Sequence, residues 1–389
     1  MSPARARPPI NPWRRRLITR SALFCAAIQA PAAALFTLWL RPHLGLALAL
    51  ALTLLAHAAA WTILLHRLTH WVDDARGPWW RAWLLDVPYA AYSTGCFLAC
   101  APGYVLGVAA AFGAVRFTAT FAPVLAWALL VTGWGSTLGR IFATVREREV
   151  VIAGLHPDLD GLRVAQLSDV HCGPHLPRWV YRRWVATALA RRPDLVALTG
   201  DLITTGEGYV GDVEDLARGL SAPMGVVACM GNHDYFQTER GVSDALDRAG
   251  VRVLRNAGEL LTRGEGRLWV AGIDDRWTKR DDLAAALAEK PEGVPTLLLA
   301  HDPASFPEAA AKGVELTLSG HTHAGQIGLP FPDAANLGRA FHRYTAGLYR
   351  EGASALYVHR GLGITGVPTR VGVWPEVAVI VLRATSSSR

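Results

Sequence analysis

The sequence predicts a mixed α/β protein in two parts, four membrane-crossing helices followed by a layered domain of strands and helices. Three observations carry this. Mean hydropathy over the 389-residue chain is +0.21, high for a fully soluble protein. The apolar residues concentrate in four runs without Lys, Arg, Asp or Glu, at 21–40, 44–65, 87–115 and 117–139. Beyond residue 160, short β-branched runs alternate with helix-like stretches, the pattern of a domain built in layers.

Each apolar run is long enough to cross a hydrocarbon core of ~30 Å at ~1.5 Å per residue. One such run is compatible with a buried soluble helix, but four in the first 140 residues favour lipid. The third contains Pro88, Pro102, Gly103 and Gly107, so a kinked or re-entrant segment is expected there. Arginines set the orientation. Arg5, Arg7, Arg14, Arg15, Arg16 and Arg20 precede the first helix; Arg67, Arg76 and Arg81 lie in the second connection; Arg140, Arg146 and Arg148 follow the fourth helix. The other connections hold only Arg41 and Arg116. This asymmetry puts the N-terminus and everything after residue 140 in the cytoplasm of a bacterial inner membrane. Trp39, Trp61, Trp71, Trp79, Trp80 and Trp83 fall near the expected interfaces. An alternative reads "WRRRLITR" with "QAPAAA" as a twin-arginine-like export signal, which would leave three spans and an external domain.

The five cysteines show no disulfide framework: Cys25, Cys96 and Cys100 lie in apolar runs, and Cys172 and Cys229 lie beyond them. Much of the +7 formal charge sits in the arginine tail and membrane connections, which fits anionic lipid rather than nucleic acid. No aromatic and basic stripe for strand binding is present.

The expected divisions are a basic tail at 1–20, the four helices at 21–139, a linker with a first strand at 140–160, a layered domain at 161–383, and a frayed tail at 384–389. Strands are expected at "LRVAQLSD", "LVALTGD", "GVVACMGN", "VRVL", "LWVAGID", "TLLLAHD", "VELTLSGH", "ALYVHRG" and "VAVIVLR". Helices are expected at 177–191, 209–219, 241–249 and 281–289.

Several strands finish in metal-binding residues: Asp169 and His171, Asp201, Asn232 with His233 and Asp234, His301, and His321 with His323. Singly, each has an ordinary explanation. A strand-end histidine is commonly a hydrogen-bonded structural residue, Asp201 after glycine forms turns, and Asn232 to Asp234 could cap a helix. Their recurrence at five strand ends points instead to one site at a sheet edge. Asp, His and Asn donors suit manganese, iron, zinc and similar divalent ions.

The ordered blocks D-x-H, G-D, G-N-H-D, H and G-H-x-H resemble the calcineurin-like metallophosphoesterases over roughly residues 150–383. The fuller strings "LDGLRVAQLSDVH", "LTLSGHTHAGQIGLP" and "YVHRGLGITGVPTRVGVWPEVAVIVL" are similar to the bacterial membrane-linked YkuE/YaeI-type branch, which is itself similar to the chlamydial UDP-diacylglucosamine hydrolase. The resemblance implies two packed β-sheets with helices outside. It implies two divalent ions, manganese first with iron, zinc or magnesium as alternatives. Asp169, His171 and His323 would hold the first, Asn232, His301 and His321 the second, and Asp201 would bridge. A water between the ions would attack, His233 would serve as general acid, and Asp234 would orient it. The chain departs from the family pattern at Thr204, where the second block usually has a further acidic residue, and at Ala324, where a glycine usually follows H-x-H.

Arg339, Arg343, Arg360 and Arg370, with His342, are the candidate anion contacts. Four membrane helices make a lipid-linked phosphate or pyrophosphate the natural substrate, with "IGLPFP" bordering the bilayer. The rivals are a phosphodiesterase on soluble or cyclic nucleotides and a non-catalytic membrane sensor. His57, the one imidazole inside a span, is expected to be structural. No protein partner is inferable.

Overall fold

A computed structural model describes residues 12–70, 79–236, 239–329 and 335–385. Arg5, Arg7, Trp71, Arg76, the 330–332 part of "IGLPFP" and the tail from 386 lie outside the described residues. The chain divides into two compact units, Met1–Val72 with Trp83–Trp134, and Asp73–Ala82 with Gly135–Arg389.

The first unit holds the apolar helices. Helix α1 (Pro12–His70) is broken at Gly45, whose φ of 76° and ψ of 162° are open only to glycine. Its apolar part, Ala22–His66, has 45 residues and would run roughly 68 Å if straight, about twice a hydrocarbon core. The break resolves the excess. The Gln29 carbonyl lies 3.0 Å from His57 Nε2, so the segments before and after Gly45 lie side by side as two crossings. The expected connection at 41–43 is therefore helical, and a single residue makes the turn. His57 is tied on both nitrogens, to Thr53 O, Gln29 O and the Tyr92 hydroxyl.

The third span starts earlier than the charge-free run. Helix α2 (Trp79–Arg81) passes through a π-turn at Ala82–Asp86 into α3 (Val87–Ala111), which is continuous rather than re-entrant. Helix α4 (Phe117–Ser136) follows. A Cβ at Gly103 would meet Leu35 and Phe121 side chains at 2.7 Å, so the absent side chain lets α1, α3 and α4 approach closely.

The second unit is a sandwich of two six-stranded sheets. Its strands are β1 (Thr144–Ile152), β2 (Arg163–Leu167), β3 (Leu195–Thr199), β4 (Val226–Cys229), β5 (Arg252–Val253), β6 (Ala257–Arg263), β7 (Gly266–Gly272), β8 (Thr296–Leu299), β9 (Leu316–Ser319), β10 (Gly347–Glu351), β11 (Ser354–Val358) and β12 (Glu376–Ala384). The first sheet runs β1-β12-β2-β3-β4-β5 and the second β10-β11-β9-β8-β7-β6. The central strands β2, β3 and β4 are parallel, as are β7, β8, β9 and β11. They are apolar almost throughout because both faces are covered.

Between the sheets pack Val164, Leu195, Val227, Val270, Leu297, Leu316 and Tyr357. Outside the first sheet lie α5 (Arg178–Leu189), α6 (Val210–Arg218) and α7 (Glu239–Arg248), packed through Trp184, Leu216 and Leu246. Outside the second lie α8 (Leu283–Leu287) and α9 (Phe306–Ala311). The expected helices at 177–191, 209–219, 241–249 and 281–289 correspond to α5 through α8. Strands β6 and β10 and helix α9 were not expected. The two strands are outermost in their sheet and only partly buried, so neither carries a clean apolar run.

Candidate metal centre

The parallel strands deliver the predicted ligands to one edge of the sandwich. Asp169 and His171 follow β2, Asp201 follows β3, Asn232 and His233 follow β4, His301 follows β8, and His321 and His323 follow β9. Both sheets therefore contribute. Asp169, His171, Asp201, His321 and His323 have φ of 53°, 50°, 53°, 70° and 50°. This left-handed conformation costs about 1–3 kcal/mol at a non-glycine residue and persists only where surrounding bonds enforce it. Here Asp169 N–H donates to Gly200 O at 2.9 Å and His171 N–H to Asp201 O at 3.0 Å. The reversal leaves each ligand at the mouth of its strand. Glycines keep the approach tight: a Cβ at Gly320 would meet Ser168 Oγ at 2.0 Å and Asp169 Oδ2 at 2.2 Å.

Three groups of donor atoms converge, each with all its atoms within 4.8 Å of one another: Asp169, His171 and His323; His171, Asp201 and His233; and Asp201, His301 and His321. Asp201 belongs to two of them. Its Oδ2 lies 3.2 Å from His301 Nε2 and 3.6 Å from His171 Nε2, while Oδ1 accepts from His233 N–H at 2.8 Å. His323 Nε2 lies 3.2 Å from Asp169 Oδ1 and 3.0 Å from His171 Nε2. Asn232 Oδ1 is 3.0 Å from His321 Nδ1.

The donor set fits metal ions. His301 donates through Nδ1 to Thr199 O at 2.7 Å, which turns Nε2 toward Asp201, yet that buried Nε2 makes no aligned hydrogen bond. A carbonyl on the outer nitrogen is the usual way to orient a ligating histidine. A divalent cation would satisfy these buried carboxylate and imidazole donors facing one another.

Burial raises the Asp201 carboxyl, but His301 and then His233 outweigh it and hold the group well below the ordinary carboxylate range. Asp169 is also lowered, His323 overcoming the effect of burial. Burial depresses His171 well below its usual value, with His233 adding to the effect. His321 is pushed down to about 4 by burial and then by His301, and His323 is lowered by burial. His301 moves the other way, because Asp201 more than offsets its burial. Most of the imidazoles thus stay neutral, as ligation requires.

Other expected residues are placed differently. Asp234, expected to orient His233, is bonded to the backbone. Its carboxylate accepts N–H bonds from Gly231, Asp201, Leu202 and Ile203 and staples two ligand-bearing turns together. His233 instead donates through Nδ1 to the Thr204 carbonyl at 2.7 Å. Two of the expected anion contacts are buried. Arg370, 2% exposed, donates to Gly363 O, Arg360 O and His323 Nδ1. Arg360, 5% exposed, faces Glu376 at 3.3 Å. Both guanidinium groups hold the fold rather than face solvent. Arg339 and Arg343 are exposed, and Arg343 lies over the Tyr344 ring. His342 reaches the site, its ring 5.6 Å from that of His321.

Three neighbours were not foreseen. Thr365 Oγ1 lies 3.5 Å from His233 Nε2, and Gln326 holds Thr365 through both its backbone N–H and carbonyl at 2.9 Å. The exposed Trp277 ring stands 6.3 Å from that of His321. Gln326 follows the G-H-x-H block directly, but no spacing signal marks Thr365 or Trp277, which lie on loops away from the strand-end blocks.

Residues 162–325 match the family model for calcineurin-like phosphoesterases. The uncharacterized metallophosphoesterase YkuE of Bacillus subtilis is 33% identical over 231 residues, covering 58% of this chain and 81% of that protein. The phosphodiesterase YaeI of Escherichia coli is 28% identical over 225 residues, 57% of this chain and 82% of YaeI. A zebrafish (Danio rerio) transmembrane protein with a metallophosphoesterase domain is 30% identical over 274 residues, covering 66% of this chain but only 62% of the relative. The apolar helices and this transmembrane relative together indicate a membrane-associated protein. With its strand-end ligands gathered at one edge and its similarity to YkuE extending over most of that protein, the chain belongs to the calcineurin-like metallophosphoesterases, in the YkuE/YaeI-type branch, and is a metal-dependent phosphohydrolase.

Proposed function

We propose that the chain hydrolyses a phosphoester or pyrophosphate bond in a lipid-linked substrate, such as a UDP-diacylglucosamine-type lipid or a phospholipid, at the bacterial inner membrane with its site in the cytoplasm. The observation that carries this reading is the joining of membrane-length apolar helices to a phosphoesterase centre in one chain. A soluble ester would need no such attachment.

Asp169, His171 and His323 would hold one ion, Asn232, His301 and His321 a second, and Asp201 would serve both. Manganese is the first candidate, with iron, zinc or magnesium as alternatives. When bound, such ions supply an acidified water and neutralise charge on the phosphate oxygens. The chain's own task is positioning and proton transfer. With Nδ1–H donating to Thr204, the doubly protonated form of His233 carries its second proton on Nε2, the one it would pass to the departing oxygen, leaving the neutral Nδ1–H tautomer. Asp169 and Asp201 are buried, which limits their contact with water.

YaeI is named a phosphodiesterase, and a second reading makes this chain a general phosphodiesterase on soluble or cyclic nucleotides. Purified protein loaded with manganese separates the two. Cleavage of soluble chromogenic diesters without cleavage of any lipid phosphate, in detergent or vesicles, would defeat the lipid reading. Retention of full hydrolysis by Asp201→Asn would defeat the metal assignment under either reading.

A further inference from the structure

Around the metal centre, loops 326–329, 335–343 and 363–371 are knitted into one rim. Gly328 N–H donates to Val371 O at 2.9 Å, Val371 N–H to Gln326 O at 2.9 Å, and Leu337 N–H to Ile327 O at 2.9 Å. The rim displays apolar side chains to solvent: Leu329 is 62% exposed, Leu337 39%, Phe341 79% and Val367 37%. Isolated exposed apolar residues are ordinary, but four on interlinked loops beside one site form a patch. Arg339 and Arg343 are exposed among them. Asp333, between the first two rim segments, is the one acidic residue in 320–350, and 361–375 contain none, so the rim segments at 326–329, 335–343 and 363–371 are apolar and basic together.

One end of this rim is bonded to the close of a membrane-length helix. Gly135 and Ser136, the last residues of α4, belong to the same compact unit as the rim. Arg370 N–H donates to Gly135 O at 2.9 Å, and the hydroxyls of Ser136 and Thr369 lie 2.5 Å apart. A Cβ at Gly135 would meet Arg370 O at 2.2 Å, so the contact is direct. Val367 is two residues from Thr369 and therefore sits close to where an apolar helix ends.

We infer that this rim is a bilayer-contact surface: Leu329, Leu337, Phe341 and Val367 enter the headgroup region while Arg339 and Arg343 pair with anionic phospholipid. Apolar side chains flanked by arginine are the signature of an interfacial surface. The contact places the mouth of the metal centre at headgroup level, where a lipid-linked phosphate needs no extraction from the membrane. Its purpose rests on the proposed lipid-linked substrate, but its existence can be measured without any substrate.

The test uses the full chain in nanodiscs, with an environment-sensitive fluorophore on Phe341→Cys, on Val367→Cys, or on Glu289→Cys as a control exposed beside α8. The unsubstituted chain, taken through the same labelling, gives the background from native thiols. Nitroxide-bearing lipids should quench the labels at 341 and 367 and leave that at 289 unaffected. Replacing phosphatidylglycerol by phosphatidylcholine should weaken the contact by roughly fivefold per arginine involved. Labels at 341 and 367 as unquenched as that at 289, or quenching indifferent to lipid charge, would overturn the inference. If the enzyme cleaves no lipid phosphate while these labels are quenched, the substrate reading falls and the surface stands.

Discussion

His233 and Thr204 are joined by a 2.7 Å hydrogen bond from the imidazole Nδ1 to a main-chain carbonyl, although Asp234 is the next residue in the chain. The family pattern implied an acidic side chain at position 204, yet here it is the backbone of Thr204 that orients the imidazole. A carbonyl fixes the tautomer without adding charge. His233→Gln should therefore lower kcat by about 10²–10⁴-fold on a diester with a poor leaving group, and far less on a nitrophenyl ester whose leaving oxygen needs no proton. Equal losses on both substrates would remove His233 from the acid role.

Metal binding should release protons near neutral pH. Asp201 raises the affinity of His301 for its proton well above that of an ordinary histidine, so this imidazole is cationic at pH 7 and must lose its proton to ligate. Burial keeps His171, His321 and His323 neutral there. Titration calorimetry with manganese at pH 7, in buffers of different ionisation enthalpy, should show about one proton released from the ligand set. His301→Gln should abolish that release and weaken binding. Release unaffected by the substitution would contradict the assignment.

Gly320→Ala tests the tight approach to the first ligand group. The new methyl would collide with Ser168 and the Asp169 carboxylate. Metal content measured by mass spectrometry should fall, with affinity reduced by about 10–100-fold, as when a ligand loses its support. A variant that binds metal as the parent does would show that the turn yields freely.

In the membrane unit, Gly45→Val should lower thermal stability by about 1–3 kcal/mol, because φ of 76° with ψ of 162° excludes a β-branched side chain. Gly133→Ala is the control, since a Cβ there meets nothing within 4 Å. Similar melting temperatures for the two variants in detergent would argue against a fixed bend.

The gathering of these side chains at one edge was legible because each apolar strand ends abruptly in a polar donor, a pattern repeated from Asp169 to His323. What escaped has a common physical cause. A sequence displays side chains, whereas Thr204 contributes to the site through its carbonyl. Charge is visible in Arg360 and Arg370, but their burial is decided by β12 and the loop before it. The resemblance cast Asp234 as the orienter of His233, and no sequence pattern shows that its carboxylate also gathers four backbone amides. Strands β6 and β10, half-exposed at the sheet margins, lack the continuous apolar signal of the central strands.

The candidate ligands come from both sheets, His301, His321 and His323 from one and Asp169, His171, Asp201 and Asn232 from the other. Neither half can assemble a complete coordination sphere alone. Ion capture must then follow closure of the sandwich during biogenesis, and a charged centre marks a molecule whose halves have already met. Chelation should correspondingly loosen the seam between the sheets before it unravels either one.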